Sequence, residues 1–393
     1  MTPRDRDDRL RKVYVEPTNA CNLACATCVR HAWDEPEGFM AWETFVAVVD
    51  GLVEATGGAG VPGGDAGPGD GRGGVAAGTV AFMGLGEPLL HPRFLDMVRL
   101  AKRHGLRVEV TTNALLLERG LAEDLVTAGL DQLVVSIDGA SAEAFGRVRS
   151  GASLEKVVEN VRHLHDFRGP YYGPRVRVGI EFVAMRSNVR ELPGLNRLAA
   201  RIGASFVIVS NVLAYSRDLV DETLYDRGAT ASSGPATSAA PRWHLPRMDA
   251  DAEVGAALGE ALRTVPHVSI LDHDLGSATS CCPFIHADSC AVAWHGGVSP
   301  CPPLLHTYHC FVLGRREKVM TRWEVGRLPG ESLVAIWTKP EYAAFRARVR
   351  DFDFPPCTDC DCELALGNEE DCFGNPHPVC GDCLWARGII RCA

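Results

Sequence analysis

Short buried-type runs of apolar and β-branched residues recur along the first half of the chain. They lie at Lys12–Glu16, Thr79–Met83, Arg107–Thr111, Gln132–Ile137, Val176–Met185 and Ser205–Ser210. Between them, apolar positions recur with helical spacing at Ala41–Thr56, Pro92–His104, Leu117–Ala128, Leu154–Phe167 and Arg190–Arg201. Strands and helices in strict alternation predict βα units around a parallel sheet. Six strands predict an α/β fold with a partial (β/α)6 TIM-like barrel, open rather than complete.

Two stretches break the pattern. Residues 57–78 are dominated by glycine and read as an insertion too poor in apolar surface to order itself. Residues 227–241 are rich in Ala, Ser, Thr and Pro and read as a flexible segment. This divides the chain into an α/β core at 10–215, a linker at 216–280 carrying that segment and a helix, and a third region at 281–393. From Cys281 onward, cysteine, proline and glycine crowd in and helical signals are brief, at Ser332–Trp337 and Glu341–Val349. A cysteine-dense, loop-rich region of this kind predicts metal in place of a large apolar core.

The chain has 393 residues, long enough for two to three domains at about 150 residues each. Its net charge of −10 argues against gripping nucleic acid or an anionic membrane. No apolar run reaches the roughly 18 residues of a membrane span, and Met1–Lys12 is too charged for a secretory signal. The expectation is a cytoplasmic protein without nucleic-acid or membrane partners. There are 15 cysteines, an odd number. In reducing cytosol they predict metal binding or catalysis rather than disulfides.

Cys21, Cys25 and Cys28 form C-x3-C-x2-C directly after the first strand, among the turn formers Pro17, Asn19 and Asn22. Helical spacing would put the three on one buried face, but the turn residues favour a loop at the C-terminal end of a parallel strand, where α/β folds place chemistry. Three thiolates do not close a structural zinc site. On an iron–sulfur cubane they leave one iron open. The string resembles the radical SAM superfamily, although Thr27 stands where that family commonly has an aromatic residue. The resemblance implies a [4Fe-4S] cluster whose open iron chelates S-adenosylmethionine (SAM). One-electron reduction would then release a 5'-deoxyadenosyl radical.

Further motifs fall at successive strand ends. Gly84-Leu85-Gly86-Glu87-Pro88 resembles the superfamily's G-G-E-P turn, with Leu85 set into the glycine run. The resemblance implies that Gly84, Gly86 and Glu87 hold the methionine amino group, and an acceptor-only carboxylate suits an ammonium. Thr111-Thr112-Asn113 ends the third strand, Ser136-Ile137-Asp138-Gly139 the fourth, and Glu181 with Ser187-Asn188 marks the fifth. Each polar set suits a helix N-cap taken alone; at one mouth of one sheet they suit a site. Asn113 belongs to that mouth. By resemblance, Ser136 and Asp138 match the ribose-contacting region and Arg149 matches an arginine reaching the SAM carboxylate. Arg149 also suits a plain ion pair.

The tail carries Cys357-x2-Cys360-x-Cys362, Cys372, Cys380-x2-Cys383 and Cys392, preceded by Cys281, Cys282, Cys290, Cys301 and Cys310. The two C-x2-C pairs, 19 residues apart (361–379), have the spacing of a structural zinc site. With the first cluster present, the field resembles the SPASM extension, which holds one or two auxiliary [4Fe-4S] clusters. Cys282, Gly296-x4-Cys301, Cys357, Cys360, Cys380, Cys383 and the last lone Cys392 follow its pattern. The third cysteine of its central run is Cys362 or Cys372, and Cys372 is the expected ligand because Cys360-x-Cys362 is tight for one cluster.

The strings VSPCPPLLH, YHCFVLGR and FDFPPCTDCDCELALGNEEDCFGNPHPVCGDCLWARGIIRC resemble radical SAM maturases associated with tungsten-cofactor oxidoreductases. The resemblance implies an enzyme serving a tungsten-containing aldehyde-oxidoreductase-type client, with an electron donor such as ferredoxin or flavodoxin. A peptide-modifying maturase uses the same SPASM architecture and is the alternative. A non-catalytic zinc-binding interaction protein is the second alternative; it leaves Cys21, Cys25 and Cys28 idle.

Overall fold

The protein is seen as a computed structural model that describes residues 8–57, 78–83, 85–167, 175–225, 242–244, 254–257, 260, 281–313, 316–355, 357 and 362–391. The glycine-rich insertion (apart from its end residues 57 and 78), the 227–241 segment, Gly84, Cys360 and Cys392 lie outside these residues.

The six expected strands form: β1 (Lys12–Val15), β2 (Thr79–Phe82), β3 (Arg107–Thr112), β4 (Gln132–Ser136), β5 (Arg177–Ala184) and β6 (Phe206–Asn211). They pair in parallel, in chain order. Val13, Val15, Val80, Phe82, Val108, Val110, Leu133, Val135, Ile180, Phe182, Val207 and Val209 are all buried. Each pair lies two residues apart on one face, and Tyr14, Ala81 and Val134 are buried on the other, so these strands are covered on both sides, as parallel sheets are. The helices α1 (Trp42–Ala55), α2 (Phe94–Arg103), α3 (Arg119–Ala128), α4 (Ala142–Val148), α5 (Leu154–His163) and α6 (Leu195–Ile202) connect the strands, with both α4 and α5 between β4 and β5. A short α7 (Arg217–Val220) follows β6. The helix expected from Arg190 begins instead as a 3-10 turn over Val189–Gly194, because Pro193 lacks the N–H that an α-helix interior requires.

The sheet does not stop at six strands. β7 (Arg242–His244) pairs with β6. On the opposite flank, β8 (Ser289–Val292) from the cysteine-rich region pairs in parallel with β1, placing Cys290 opposite Val13. Antiparallel β9 (Gly297–Ser299) and β12 (Gly326–Arg327) continue outward. Ten strands thus form one open mixed sheet in the order β12-β9-β8-β1-β2-β3-β4-β5-β6-β7. β10 (Tyr308–Val312) and β11 (Arg316–Met320) make a separate hairpin. The helices α8 (Pro283–His286), α9 (Leu333–Trp337) and α10 (Pro340–Asp351) complete the C-terminal part. Phe284, Ile285, Leu333, Ile336, Tyr342 and Phe345 join the same apolar core as β1 and α1. No described helix is long and apolar enough to cross a membrane.

Candidate active site

The loop after β1 is closed at its base before it presents any thiol. Asn19 donates from Nδ2 to Pro36 O (3.0 Å) and accepts at Oδ1 from Gly38 N (2.8 Å). Thr18 Oγ1 donates to Gly38 O at 2.6 Å, and Met40 N to Pro17 O at 2.8 Å. The turn formers of the motif thus pin a hairpin-like base, and the three cysteines stand beyond it. Within the loop, Cys28 N bonds to Cys25 O at 3.1 Å and Cys28 starts a 3-10 turn over Val29–Ala32. This is loop geometry, not the buried helical face.

Cys21, Cys25 and Cys28 are free and half-buried. Burial pushes all three thiols upward, Cys25 to about 11; Cys28 and Cys21 add to the rise at Cys25, and Cys21 to that at Cys28. Opposing this, Arg149 favours the thiolate of Cys25, with Nη1 3.9 Å from its Sγ. Asn113 Nδ2 lies 4.0 Å from Cys21 Sγ and donates to Asn22 Oδ1 at 2.8 Å. A thiolate is the form that ligates metal, so a cation and an amide aimed at sulfur suit a metal-bound state.

Gly86 explains why its turn is glycine. A Cβ there would sit 2.3 Å from Thr18 O and 2.5 Å from Ala20 O, so the β2 loop presses against the cysteine loop backbone to backbone. Glu87 N then donates to Ala20 O at 2.8 Å. The buried Glu87 carboxylate accepts from Thr112 Oγ1 (2.6 Å), Asn113 N (2.9 Å) and Leu89 N (3.1 Å). Burial raises its pKa against those three bonds. In this structure Glu87 ties the ends of β2 and β3 together, a positioning task the sequence did not suggest.

Asp138 is wholly buried. It accepts from Arg149 Nε and Nη2, both at 2.9 Å, and at Oδ1 from Val183 N at 2.9 Å. Arg149 therefore finds a buried partner, and helix capping falls to other residues: Ser141 caps α4 and Ser153 caps α5. Ser136 is half-buried as the last residue of β4, paired in register with Glu181. Asn188 reaches back from beyond β5 to Asp138 O (3.1 Å) and Val183 O (2.9 Å). The ends of β2 to β5 are thus bonded into one rim around the cysteine loop.

Two contributors escaped the sequence reading. Tyr215, just past β6, donates its hydroxyl to Ala26 O inside the cysteine loop. Burial and the neighbouring Cys28 and Cys25 raise it to about 12. Its position at a strand's C-terminal end was the available signal. His306 lies between Glu16 (Nε2 to Oε2, 3.0 Å) and Glu35 (Nδ1 to Oε2, 2.7 Å), stacked on Trp33 at 4.3 Å. It joins both flanks of the cysteine loop to the segment after Cys301. Nothing local in sequence pairs these residues.

The C-terminal cysteines sort into two gatherings. Cys282, Cys301, Cys380 and Cys383 are close enough that their charges act on one another. Burial raises all four, Cys282 to about 12. Cys357, Cys362 and Cys372 share a cavity that Lys318, Asp371 and Asp382 also line. Cys362, set aside in the sequence in favour of Cys372, stands there beside it. Cys290 is buried in β8, next to Arg346 and apart from both groups. Among the described residues, no three His, Cys, Asp or Glu side chains converge on the point that one metal ion needs.

Comparison with known proteins covers much of this rim. The model of the radical SAM superfamily matches residues 73–181, and that of the SPASM iron-sulfur cluster-binding domain matches residues 281–361. The chain is 28% identical over 391 residues to the tungsten-containing aldehyde ferredoxin oxidoreductase cofactor-modifying protein of Pyrococcus furiosus, covering 98% of this chain and 97% of that one. It is 27% identical over 197 residues to the mycofactocin maturase MftC of Mycobacterium tuberculosis, covering 49% of this chain and 42% of that one. Its fold is similar to Streptococcus suis SuiB bound to S-adenosylmethionine, with TM-score 0.56 and 12% identity over 91% of this chain and 72% of that one. It is likewise similar to anSMEcpe with bound AdoMet, with TM-score 0.56 and 16% identity over 89% and 86%. The donor set fits iron–sulfur clusters: grouped free thiols, with Arg149 and Asn113 aimed at sulfur.

Proposed function

We propose that this enzyme reductively cleaves SAM at the Cys21/Cys25/Cys28 site and uses the resulting radical to mature a tungsten-cofactor-containing oxidoreductase. A [4Fe-4S] cluster bound by the three thiolates would supply the open iron for SAM and the electron that cleaves it. The chain's own residues do the remaining work. Gly86 and Glu87 bring the β2 and β3 loops onto the cysteine loop, and Asp138 holds Arg149 in the rim. The half-buried setting limits water around the thiols.

The observation that carries the client assignment is the match to the Pyrococcus furiosus cofactor-modifying protein along nearly the full length of both chains. Relatives such as the mycofactocin maturase match only about half of this chain. We assign Cys282, Cys301, Cys380 and Cys383 to one auxiliary cluster. Cys357, Cys362 and Cys372 belong to a second, for which Cys360 is the sequence neighbour able to supply a fourth thiolate. Ser136 and Gly84 retain the roles that the family resemblance implies, and Cys392 is the other sequence candidate for that fourth thiolate.

The test is anaerobic reconstitution followed by reduction with SAM present. The wild-type chain should bind roughly twelve irons and release 5'-deoxyadenosine. The C21A/C25A/C28A variant should release none; persistent release would end the proposal. Incubation with the tungsten-free and tungsten-loaded client should change the client's cofactor mass only when SAM is supplied. Transfer to a short cysteine- and glycine-rich peptide instead would favour a peptide maturase.

A further inference from the structure

A buried cation stands where the two auxiliary thiol groups meet. Lys318, in β11, is 3% exposed, and lysine is almost never buried without a partner. Its Nζ donates to Asp382 Oδ1 at 2.6 Å. The other oxygen of Asp382 takes Arg316 Nη2 at 2.7 Å, and that same nitrogen reaches Cys357 O at 3.2 Å. Both cations bond to this one carboxylate, while Asp371 and Glu370 also line the cavity, so the buried ammonium is one fixed positive charge set among carboxylates.

The placement touches both thiol groups at once. Asp382 lies between Cys380 and Cys383, which belong to the first group. Lys318 and Asp382 line the cavity with Cys357, Cys362 and Cys372, the second group. The groups abut at Gly381, where a Cβ would sit 2.5 Å from Pro355 O and 3.1 Å from Cys357 Sγ. Across the hairpin, Lys318 pairs in register with Cys310. Lys318 also favours the thiolates of Cys310, Cys357, Cys380 and Cys383, against the burial that raises them. A buried ammonium in low dielectric stabilises added negative charge on either side of it.

From this arrangement we infer that Lys318, held by Asp382, is a shared positioning charge that raises the reduction potentials of both auxiliary clusters together. The inference rests on the two-cluster reading above. A cluster gains an electron on reduction, so a nearby cation favours the reduced form and an anion opposes it. Arg316 keeps Asp382 turned toward Lys318 when the lysine is replaced.

The experiment is an EPR-monitored redox titration of the full, anaerobically reconstituted chain, with iron and sulfide counted for each variant. K318M should move both auxiliary signals to more negative potential, and D382N should move both to more positive potential. The K318M/D382N variant should fall between them, and K318R should stay near wild type. The signal that responds to SAM should not move in any variant. Unmoved auxiliary potentials at full iron content would overturn the inference. So would shifts of the same sign in K318M and D382N, or equal iron loss in K318M and K318R, which would mark a purely structural lysine. If K318M does not fold, the sign of the D382N shift decides. A wild-type chain with only four irons would overturn the two-cluster reading itself, an outcome distinct from twelve irons with unmoved potentials.

Discussion

Arg149 grips Asp138 through Nε and Nη2 at 2.9 Å each, which leaves Nη1 3.9 Å from Cys25 Sγ. The carboxylate oxygen Oδ2 holds the Nε/Nη2 edge of the guanidinium and so turns Nη1 toward sulfur. D138N removes the charge that compensates a buried arginine, and breaking such a pair costs about 3–5 kcal/mol. We expect a matching drop in urea stability of the anaerobic protein. R149K should lose the aim as well, because a lysine cannot make the forked contact. An unchanged urea midpoint in D138N would contradict this account.

Gly86 is the closest approach between the β2 and β1 loops. G86A places a methyl 2.3 Å from Thr18 O, a backbone atom with no room to yield. Overpacking of this sort costs roughly 1–3 kcal/mol. The cysteine loop should shift, and the iron bound at Cys21, Cys25 and Cys28 should fall while the auxiliary iron stays. Wild-type iron retention in G86A would refute the role.

The bridge from Glu16 and Glu35 to His306 sets a pH dependence. Burial opposes charge on the imidazole, but hydrogen bonds and attraction from the two carboxylates outweigh it and lift the pKa from 6.5 to about 9. A raised pKa favours the protonated folded state. The stabilisation is complete below about pH 6.5 and is lost as pH rises through about 9. Its size is on the order of 3 kcal/mol for a residue buried this fully. Denaturation across this window should show stability falling with pH, with a flatter profile in H306Q. The same slope in both proteins would exclude the bridge as its source.

Cys290 is buried and Cys301 half-buried, but only Cys301 has thiol neighbours, in Cys282, Cys380 and Cys383. C301A should lose about four irons per chain. C290A should keep them all, with a packing loss of about 1 kcal/mol. Equal losses in the two variants would undo the assignment of the first auxiliary group.

Much of the site was legible because its signals are local. Three cysteines in one loop, and polar residues at successive strand ends, need only chain spacing and a parallel sheet to converge. The tasks of those residues were less legible. Glu87 reads as a free acceptor, yet Thr112, Asn113 and Leu89 occupy it. Arg149 reads as a group that reaches a ligand or a surface acid, yet its partner is the buried Asp138. Which donors a carboxylate meets depends on how neighbouring loops pack, and spacing along the chain carries no record of that.

The chain's pattern by itself determined the six parallel strands, the loop that carries Cys21, Cys25 and Cys28, and the cysteine-rich, loop-rich character of the C-terminal region. These follow from side-chain periodicity and short covalent spacing. Tertiary structure alone decided that β8 joins β1 in one sheet, that His306 clasps Glu16 and Glu35, and how the later cysteines divide. Each of those outcomes joins segments far apart in sequence. Their pairing is selected by burial and hydrogen-bond satisfaction over the whole fold, which no local window contains.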